Sequence, residues 1–135
     1  MKDQFFLNFK TMPKGTAQMK RYNGRTHTYF KDSKLIETER EFWLALSPHR
    51  PKEPSEHPIR LAIYFYFNVK EKAKWGKPKT SKPDADNYAK AFIDQMTHLG
   101  FWKDDSQITE LHLEKFYSEK AVIFVRWEEI SDGQE

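Results

Sequence analysis

Four stretches of this chain alternate apolar and polar positions in the way that strands with one buried face do. The segment 5–9 alternates in this way, and the run 59–69 has the clearest pattern, with its odd-numbered positions apolar. Segments 107–117 and 120–128 alternate as well, and a turn at 118–119 would join them as a hairpin. The pattern therefore predicts a sheet of about four strands.

Two stretches have helical spacing instead. Asp32 is suited to cap the first helix, whose apolar stripe follows it. The stripe consists of Leu35, Ile36, Phe42, Trp43 and Leu46. The second helix is predicted to begin around 83–87, with Asp84 or Asp86 as its N-cap, and to end at Gly100, since glycine suits the position just after a helix.

The order of the predicted elements is strand, helix, strand, helix, strand, strand. With a mixed sheet and both main helices on one face, this order predicts an α+β fold, a two-layer sandwich. Between the elements, 10–31 is a basic loop and 47–58, with four prolines, is expected to be an exposed and mobile connection. The length predicts one domain over 1–135, with a polar tail at 131–135 that is expected to fray.

Composition narrows the chemistry. Aromatic residues make up 16% of the chain, which favours a compact core over disorder. Cysteine is absent, which excludes disulfides and thiolate zinc sites and suits a reducing cytoplasm. We expect no membrane contact, because no apolar run approaches about twenty residues and no secretory signal pattern is present. The histidines lack ligand spacing, so a metal would be bound by oxygen, which favours Mg²⁺ or Mn²⁺.

Positive charge is concentrated in two segments, although the net charge is only +3. The segment 10–31 contains no acid, and 70–82 carries six lysines and one acid. Such segments suit the phosphates of a polyanion, although a lysine run is also typical of a solvated, flexible loop. The candidate contacts are Lys14, Lys20, Arg21 and Arg25 in the first segment and Lys74, Lys77, Lys79 and Lys82 in the second.

Three aspartates and a lysine follow the second basic segment. Asp84 and Asp86 are two residues apart, so an extended backbone would direct both carboxylates the same way. At about 4 Å they would repel by roughly 4 kcal/mol at an effective dielectric of about 20, which requires a cation, a lysine or a shared proton. Lys90 lies one helical turn after Asp86. Asp105 follows a helix about 20 Å long, so spacing alone brings it to the others only if the sheet curves or if Asp84 and Asp86 lie further along the helix than predicted.

These residues also have a simpler explanation. An aspartate before a helix is usually an N-cap, and paired aspartates in a turn are usually solvated. Lys90 could form an ion pair with Asp86 or Asp94 on the helix surface. Spacing alone leaves both explanations open.

Two motifs at a matching separation point to a known family. They are Lys82-Pro-Asp-Ala-Asp-Asn-Tyr-Ala-Lys90 with Phe92-Ile-Asp94, and Gly100-Phe-Trp-Lys-Asp-Asp-Ser-Gln107. Together they resemble the RusA family of Holliday-junction resolvases. Gly24-Arg25-Thr26-His27 is similar to the basic loop after that family's first strand.

The resemblance implies a homodimer that cuts four-way DNA junctions with Mg²⁺ or Mn²⁺, in DNA recombination and repair. Carried over by position, Asp84, Asp86 and Asp105 are the catalytic, metal-binding acids and Lys90 is the catalytic lysine. The basic residues of the two segments would then contact DNA. Lysines stand in the second segment where some members of the family carry arginines.

Two other functions fit the same residues. The chain could be a nuclease for flaps, forks or other branched DNA, or a DNA-binding or packaging-associated module that does not cut. Trp75, Phe101 and Trp102 are expected in the core or at a dimer interface; the alternative is that they are wedges that open a junction by stacking.

Overall fold

A computed structural model describes residues 1–131 of the chain. The strands are β1 (Lys2–Phe9), β2 (Lys20–Asn23), β3 (Thr28–Lys31), β4 (Ile59–Asn68), β5 (Ile108–Ser118) and β6 (Ala121–Glu129). The helices are α1 (Ser33–Leu46) and α2 (Ala85–His98), and 3₁₀ turns span Ser47–His49, Lys72–Lys74 and Asp105–Gln107. Within the described part, neither helix is long and apolar enough to span a membrane. Of the predicted tail, Ser131 is exposed and irregular, and 132–135 lie outside the described residues.

Four strands form one mixed sheet in the order β1-β6-β4-β5. β5 pairs in parallel with β4, and the other two pairings are antiparallel. The predicted hairpin is wrong, because β5 and β6 lie on opposite sides of β4 and do not pair with each other. β4 is the most buried strand, so the backbone groups on both its edges need partners. Residues 119–120 carry the chain across the end of β4, so that β5 pairs with one edge of β4 and β6 pairs with the other.

Both helices pack on one face of this sheet, which confirms the predicted α+β two-layer sandwich. The ring of Phe42 in α1 meets those of Tyr88 and Phe92 in α2 edge-on, with centroids 5.5 and 5.0 Å apart. Phe65 of β4 meets the same two rings at 5.1 and 6.1 Å. Edge-to-face pairs contribute about 0.5–1.5 kcal/mol each beyond the burial of their area. This aromatic cluster therefore fixes both helices against the sheet.

Helix α1 begins as predicted but buries a narrower stripe. Asp32 is its N-cap and accepts a hydrogen bond from the backbone N–H of Lys34 at 2.8 Å. The buried residues are Leu35, Thr38, Phe42 and Leu46. Ile36 and Trp43, which were predicted in the stripe, are 54% and 39% exposed. They lie about 100° around the helix from the buried positions that precede them.

Both connections that were predicted to be irregular contain fixed structure. The basic loop 10–31 includes the antiparallel hairpin of β2 and β3, which the sequence does not reveal because nearly all of its side chains are exposed and no apolar alternation results. The proline-rich connection 47–58 was expected to be exposed throughout, which is wrong at Ser55. This residue is buried, and its backbone N–H donates to the oxygen of Phe101 at 3.2 Å.

Two of the three singled-out aromatic residues belong to the core, as predicted. Phe101 and Trp102 are fully buried, and the Trp102 indole N–H donates to the hydroxyl of Thr97 at 2.8 Å. Trp75 is half-buried and donates its indole N–H to the oxygen of Val69 at 3.0 Å. Trp75 thus tethers the lysine-rich segment to the end of β4.

Candidate functional site

A groove of about 170 Å³ between α2 and β5 contains most of the predicted catalytic residues. Asp86, Lys90 and Asp94 line it from successive turns of α2, because residues four apart share one face of a helix. Asp105 lines it from the turn before β5. Its apolar walls are Ala89, Ile93, Leu111 and Leu113. We call Asp86, Lys90, Asp94 and Asp105 the acidic groove.

β5 lies alongside α2 and supplies Leu111 and Leu113 to the opposite wall of the acidic groove. β5 begins beyond the far end of α2 and runs back along it, so that Lys115 reaches the start of the helix. The Lys115 ammonium donates to the backbone oxygens of Ser81 and Pro83 at 2.9 and 2.7 Å. Within residues 1–131, no three carboxylate, imidazole or thiol side chains are grouped so that they could hold a metal ion.

Asp84 lies outside the acidic groove. It occupies the N-cap position of α2, but its carboxylate accepts no hydrogen bond from the helix backbone. Its partner is the side-chain amide of Asn87, at 3.3 Å. The prediction that Asp84 occupies the N-cap position is therefore confirmed, but its side chain does not form the hydrogen bond to the helix backbone that an N-cap usually forms. Within the described residues, Asp84, Asp86 and Asp105 are exposed and form no ion pair.

The turn that carries Asp105 is held in place by hydrogen bonds of the Asp104 and Gln107 side chains. Asp104 accepts a hydrogen bond from the backbone N–H of Ser106 at 3.0 Å, which lowers the pKa of the Asp104 carboxyl. Gln107 accepts from the backbone N–H groups of Lys103 and Asp104 at 3.0 and 2.9 Å. It donates to the backbone oxygens of residues 55 and 57 at 2.8 and 3.0 Å. Asp104 and Gln107 therefore position Asp105, whose own carboxylate stays exposed.

Lys90 pairs with Asp94, as the simpler explanation of this lysine proposed. Their charged atoms are 3.6 Å apart, and the two side chains are 61% and 31% exposed. An exposed pair of this kind contributes at most a few tenths of a kcal/mol. Lys90 can therefore exchange Asp94 for another anion at little cost.

A second and larger cleft, of about 600 Å³, opens on the other side of the start of α2. Three of the predicted contacts, Lys14, Lys79 and Lys82, line it together with Asp84. Its remaining lining comes from residues of the loop 11–19, the end of β4, Pro83 and Asn87. We call this the basic cleft. Asp84 and Asp86 thus lie in adjacent sites that share the first turn of α2.

The lysine-rich segment forms backbone hydrogen bonds with β5, although most of its lysine side chains are exposed, as expected of a solvated segment. The backbone N–H of Tyr117 donates to the oxygen of Lys77 at 2.9 Å, and that of Lys79 donates to the oxygen of Lys115 at 2.9 Å. The ammonium groups of Lys74 and Lys79 lie 5.3 and 5.0 Å from the centre of the Tyr117 ring. A hydrogen bond with Ser81, and then the charges of these two lysines, lower the pKa of Tyr117.

The other predicted contacts lie outside both sites. Lys20 and Arg25 are exposed on and beside the β2–β3 hairpin, and Arg21 pairs with Asp32 at 2.8 Å. Lys74 and Lys77 are exposed on the folded lysine-rich segment. The structure therefore places these residues on the surface without converging them on the acids.

Sequence reasoning missed two residues of these sites. Asn68 lines the basic cleft, and its side-chain oxygen accepts from the backbone N–H of Met12 at 3.1 Å. Lys115 holds the segment before α2 in place. The sequence contained a signal for Lys115. In the alternation of β5 it lies on the same face as Leu111 and Leu113, which faces the helices, and a lysine is unusual there.

Comparison with known proteins agrees with the motifs. A family model described as Endodeoxyribonuclease RusA matches residues 8–128. The chain is 39% identical over 87 residues to the crossover junction endodeoxyribonuclease rusA of Lactococcus phage r1t, across 63% of this chain and 66% of that protein. It is 37% identical over 99 residues to the uncharacterized protein YqaN of Bacillus subtilis (strain 168), across 65% of this chain and 69% of that protein. The chain spans about two thirds of the length of both relatives.

Proposed function

The chain belongs to the RusA family of endodeoxyribonucleases, and we propose that it resolves four-way DNA junctions by paired, symmetric nicks in recombination and repair. One observation carries this proposal: the first turn of α2 joins a cleft lined by three lysines to a groove lined by exposed carboxylates. Lysines bind the phosphates of a nucleic-acid strand, and carboxylates bind the cation that phosphodiester hydrolysis uses.

The acids suit Mg²⁺ or Mn²⁺. Mg²⁺ is usually held by one or two carboxylates together with phosphate oxygens and water, so a complete protein cage is not required. Asp86 and Asp105 line the same groove, and Asp84 is exposed two residues before Asp86. We propose these three aspartates as the ligands; because they are not grouped closely enough in the described residues to hold an ion by themselves, phosphate oxygens of the DNA and water would complete its coordination. A bound ion supplies an activated water and stabilises the charge on the leaving oxygen.

The remaining residues position the DNA. Lys14, Lys79 and Lys82 would neutralise phosphates along the basic cleft, next to Asp84. Lys90 would leave Asp94 and stabilise the charge that develops on the reacting phosphate. Since a four-way junction has approximate two-fold symmetry, paired nicks are made most simply by a homodimer with two such sites.

Cleavage of defined DNA substrates tests this function. With Mg²⁺ or Mn²⁺ present, we expect paired nicks at symmetric positions of a labelled four-way junction, and none with EDTA. Flaps, forks and linear duplex serve as matched substrates. Equal cleavage of flaps and forks would favour the broader branched-DNA nuclease. Binding without nicking of any substrate would contradict the proposal and favour a module that does not cut.

Replacement of Lys90 by methionine is expected to lower the rate of cleavage about 100-fold, since one lost electrostatic contact to a transition state has an effect of about this size. DNA affinity and thermal stability should change little, because the pair with Asp94 is exposed. Single-turnover cleavage under saturating protein measures the rate. Lys2→Met, on the exposed end of the far edge strand, removes the same charge and should leave the rate unchanged. An equal loss in both variants would mean that Lys90 acts only through general charge.

A further inference from the structure

The floor of the basic cleft is apolar, which contacts to phosphate alone do not require. Met12 and Phe67, which are buried, line the cleft together with Met19, Val69 and Pro83, and we call these five residues the apolar floor; the Lys79 ammonium lies 5.2 Å from the centre of the Phe67 ring. We propose that the basic cleft receives one unstacked nucleobase of the bound DNA strand, which makes it a site of base recognition. This inference rests on the proposed function, because it requires that the lysines around the cleft hold DNA.

The size and charge of the cleft select this occupant. A volume of about 600 Å³ lies in the range of small-molecule sites, about 300–1,000 Å³, and is far larger than a phosphate group needs. Lys14, Lys79 and Lys82 line the same cleft and would hold the phosphates on either side of the base. An apolar floor beneath phosphate-binding lysines suits a nucleotide, whose base has an apolar face and whose backbone is anionic.

The cleft also contains side chains that can distinguish one base from another. Because the Asn68 oxygen is used by the backbone of Met12, its amide nitrogen is the group left to donate into the cleft. Asn87 lines the cleft and donates to Asp84, which leaves its amide oxygen as an acceptor. A donor and an acceptor on amide side chains match the edge of a base.

The wall of the cleft is already fixed in the free protein. The loop 11–19 is fastened to α2 by two hydrogen bonds, one from the Tyr88 hydroxyl to the oxygen of Pro13 and one from the Ala17 N–H to the oxygen of Asn87, at 3.3 Å. A third, from the Gly15 N–H to the Thr38 hydroxyl at 2.7 Å, joins it to α1. A preformed site binds without the cost of ordering a loop.

Scanning a junction with 2-aminopurine tests the inference. This fluorescent base is placed at successive positions around the crossover, and binding is measured in EDTA so that cleavage does not interfere. We expect fluorescence to rise at one position in each cleaved strand, where the base leaves the stack. Thr16 lines the cleft through a side chain without described hydrogen bonds, so Thr16→Phe fills the cleft and Thr16→Ser is its matched control.

The filled variant should lose the fluorescence change and bind the junction about tenfold more weakly, the lower end of what one base contact contributes. Its salt dependence should stay that of the unmodified protein, because the phosphate contacts remain. Unmodified protein that binds the junction with no fluorescence change at any position overturns this inference alone. Unmodified protein that binds no DNA overturns it together with the proposed function.

Discussion

Replacement of Asp86 by asparagine is expected to lower junction cleavage about 1,000-fold or more while DNA affinity is kept. Asp86 is the proposed metal ligand in the first turn of α2, and it lines the acidic groove. A bound metal lowers the barrier of hydrolysis by several kcal/mol, and each 1.36 kcal/mol is about a factor of ten in rate. Asparagine keeps the shape of the side chain and removes its charge.

Measurements of DNA affinity and thermal stability distinguish a loss of catalysis in Asp86→Asn from a loss of DNA binding or of folding. Loss of one negative charge beside a polyanion should leave DNA affinity unchanged or slightly raised. The carboxylate forms no ion pair in the described structure, so the melting temperature should also be kept. Asp3→Asn makes the same change on the opposite edge strand, β1, and should cleave at the unmodified rate. Full cleavage by Asp86→Asn in Mg²⁺ would remove Asp86 from the active site.

Replacement of Gly15 by alanine is expected to destabilise the protein by about 2–4 kcal/mol. A Cβ at this position would lie 2.5 Å from the backbone oxygen of Lys34 and 2.8 Å from the Cα of Leu35. Both atoms belong to helix α1 and cannot move aside, so the loop must lift from the helix. Lifting breaks the buried hydrogen bond between the Gly15 N–H and the Thr38 hydroxyl.

Thermal unfolding measures this loss, and we expect the melting temperature to fall by roughly 10 °C for a chain of this size. DNA affinity should fall as well, because the loop carries Lys14 into the basic cleft. Gly24→Ala is the matched control. Its Cβ would meet a single atom, of the Tyr22 ring, at 3.8 Å, so stability should change little. Equal melting temperatures for the two variants would show that the loop is not packed as described.

The local elements could be predicted because their signals are local. The alternation of 59–69 reflects one buried face of β4, and Gly100 ends α2 with a positive φ of 81°, which glycine adopts without strain. Strand pairing is different. The short link at 118–119 suggests a hairpin, but β4 needs partners on both edges and takes β5 and β6 as its two neighbours. Which strand lies beside which depends on the whole sheet.

The candidate site divides in the same way. The sequence by itself determined the residue types, the two motifs and the family, because these depend on identity and spacing along one chain. Only the tertiary structure decided which residues meet, because that depends on how α2, β5 and the loop 11–19 pack together. In the folded protein, Asp86 and Asp105 line one groove between α2 and β5, and Asp84 lies in the basic cleft with Lys14, from a loop far away in sequence. Contacts between distant segments leave no periodic signal in the chain, and so the apolar floor beneath the lysines could be seen only in the folded protein.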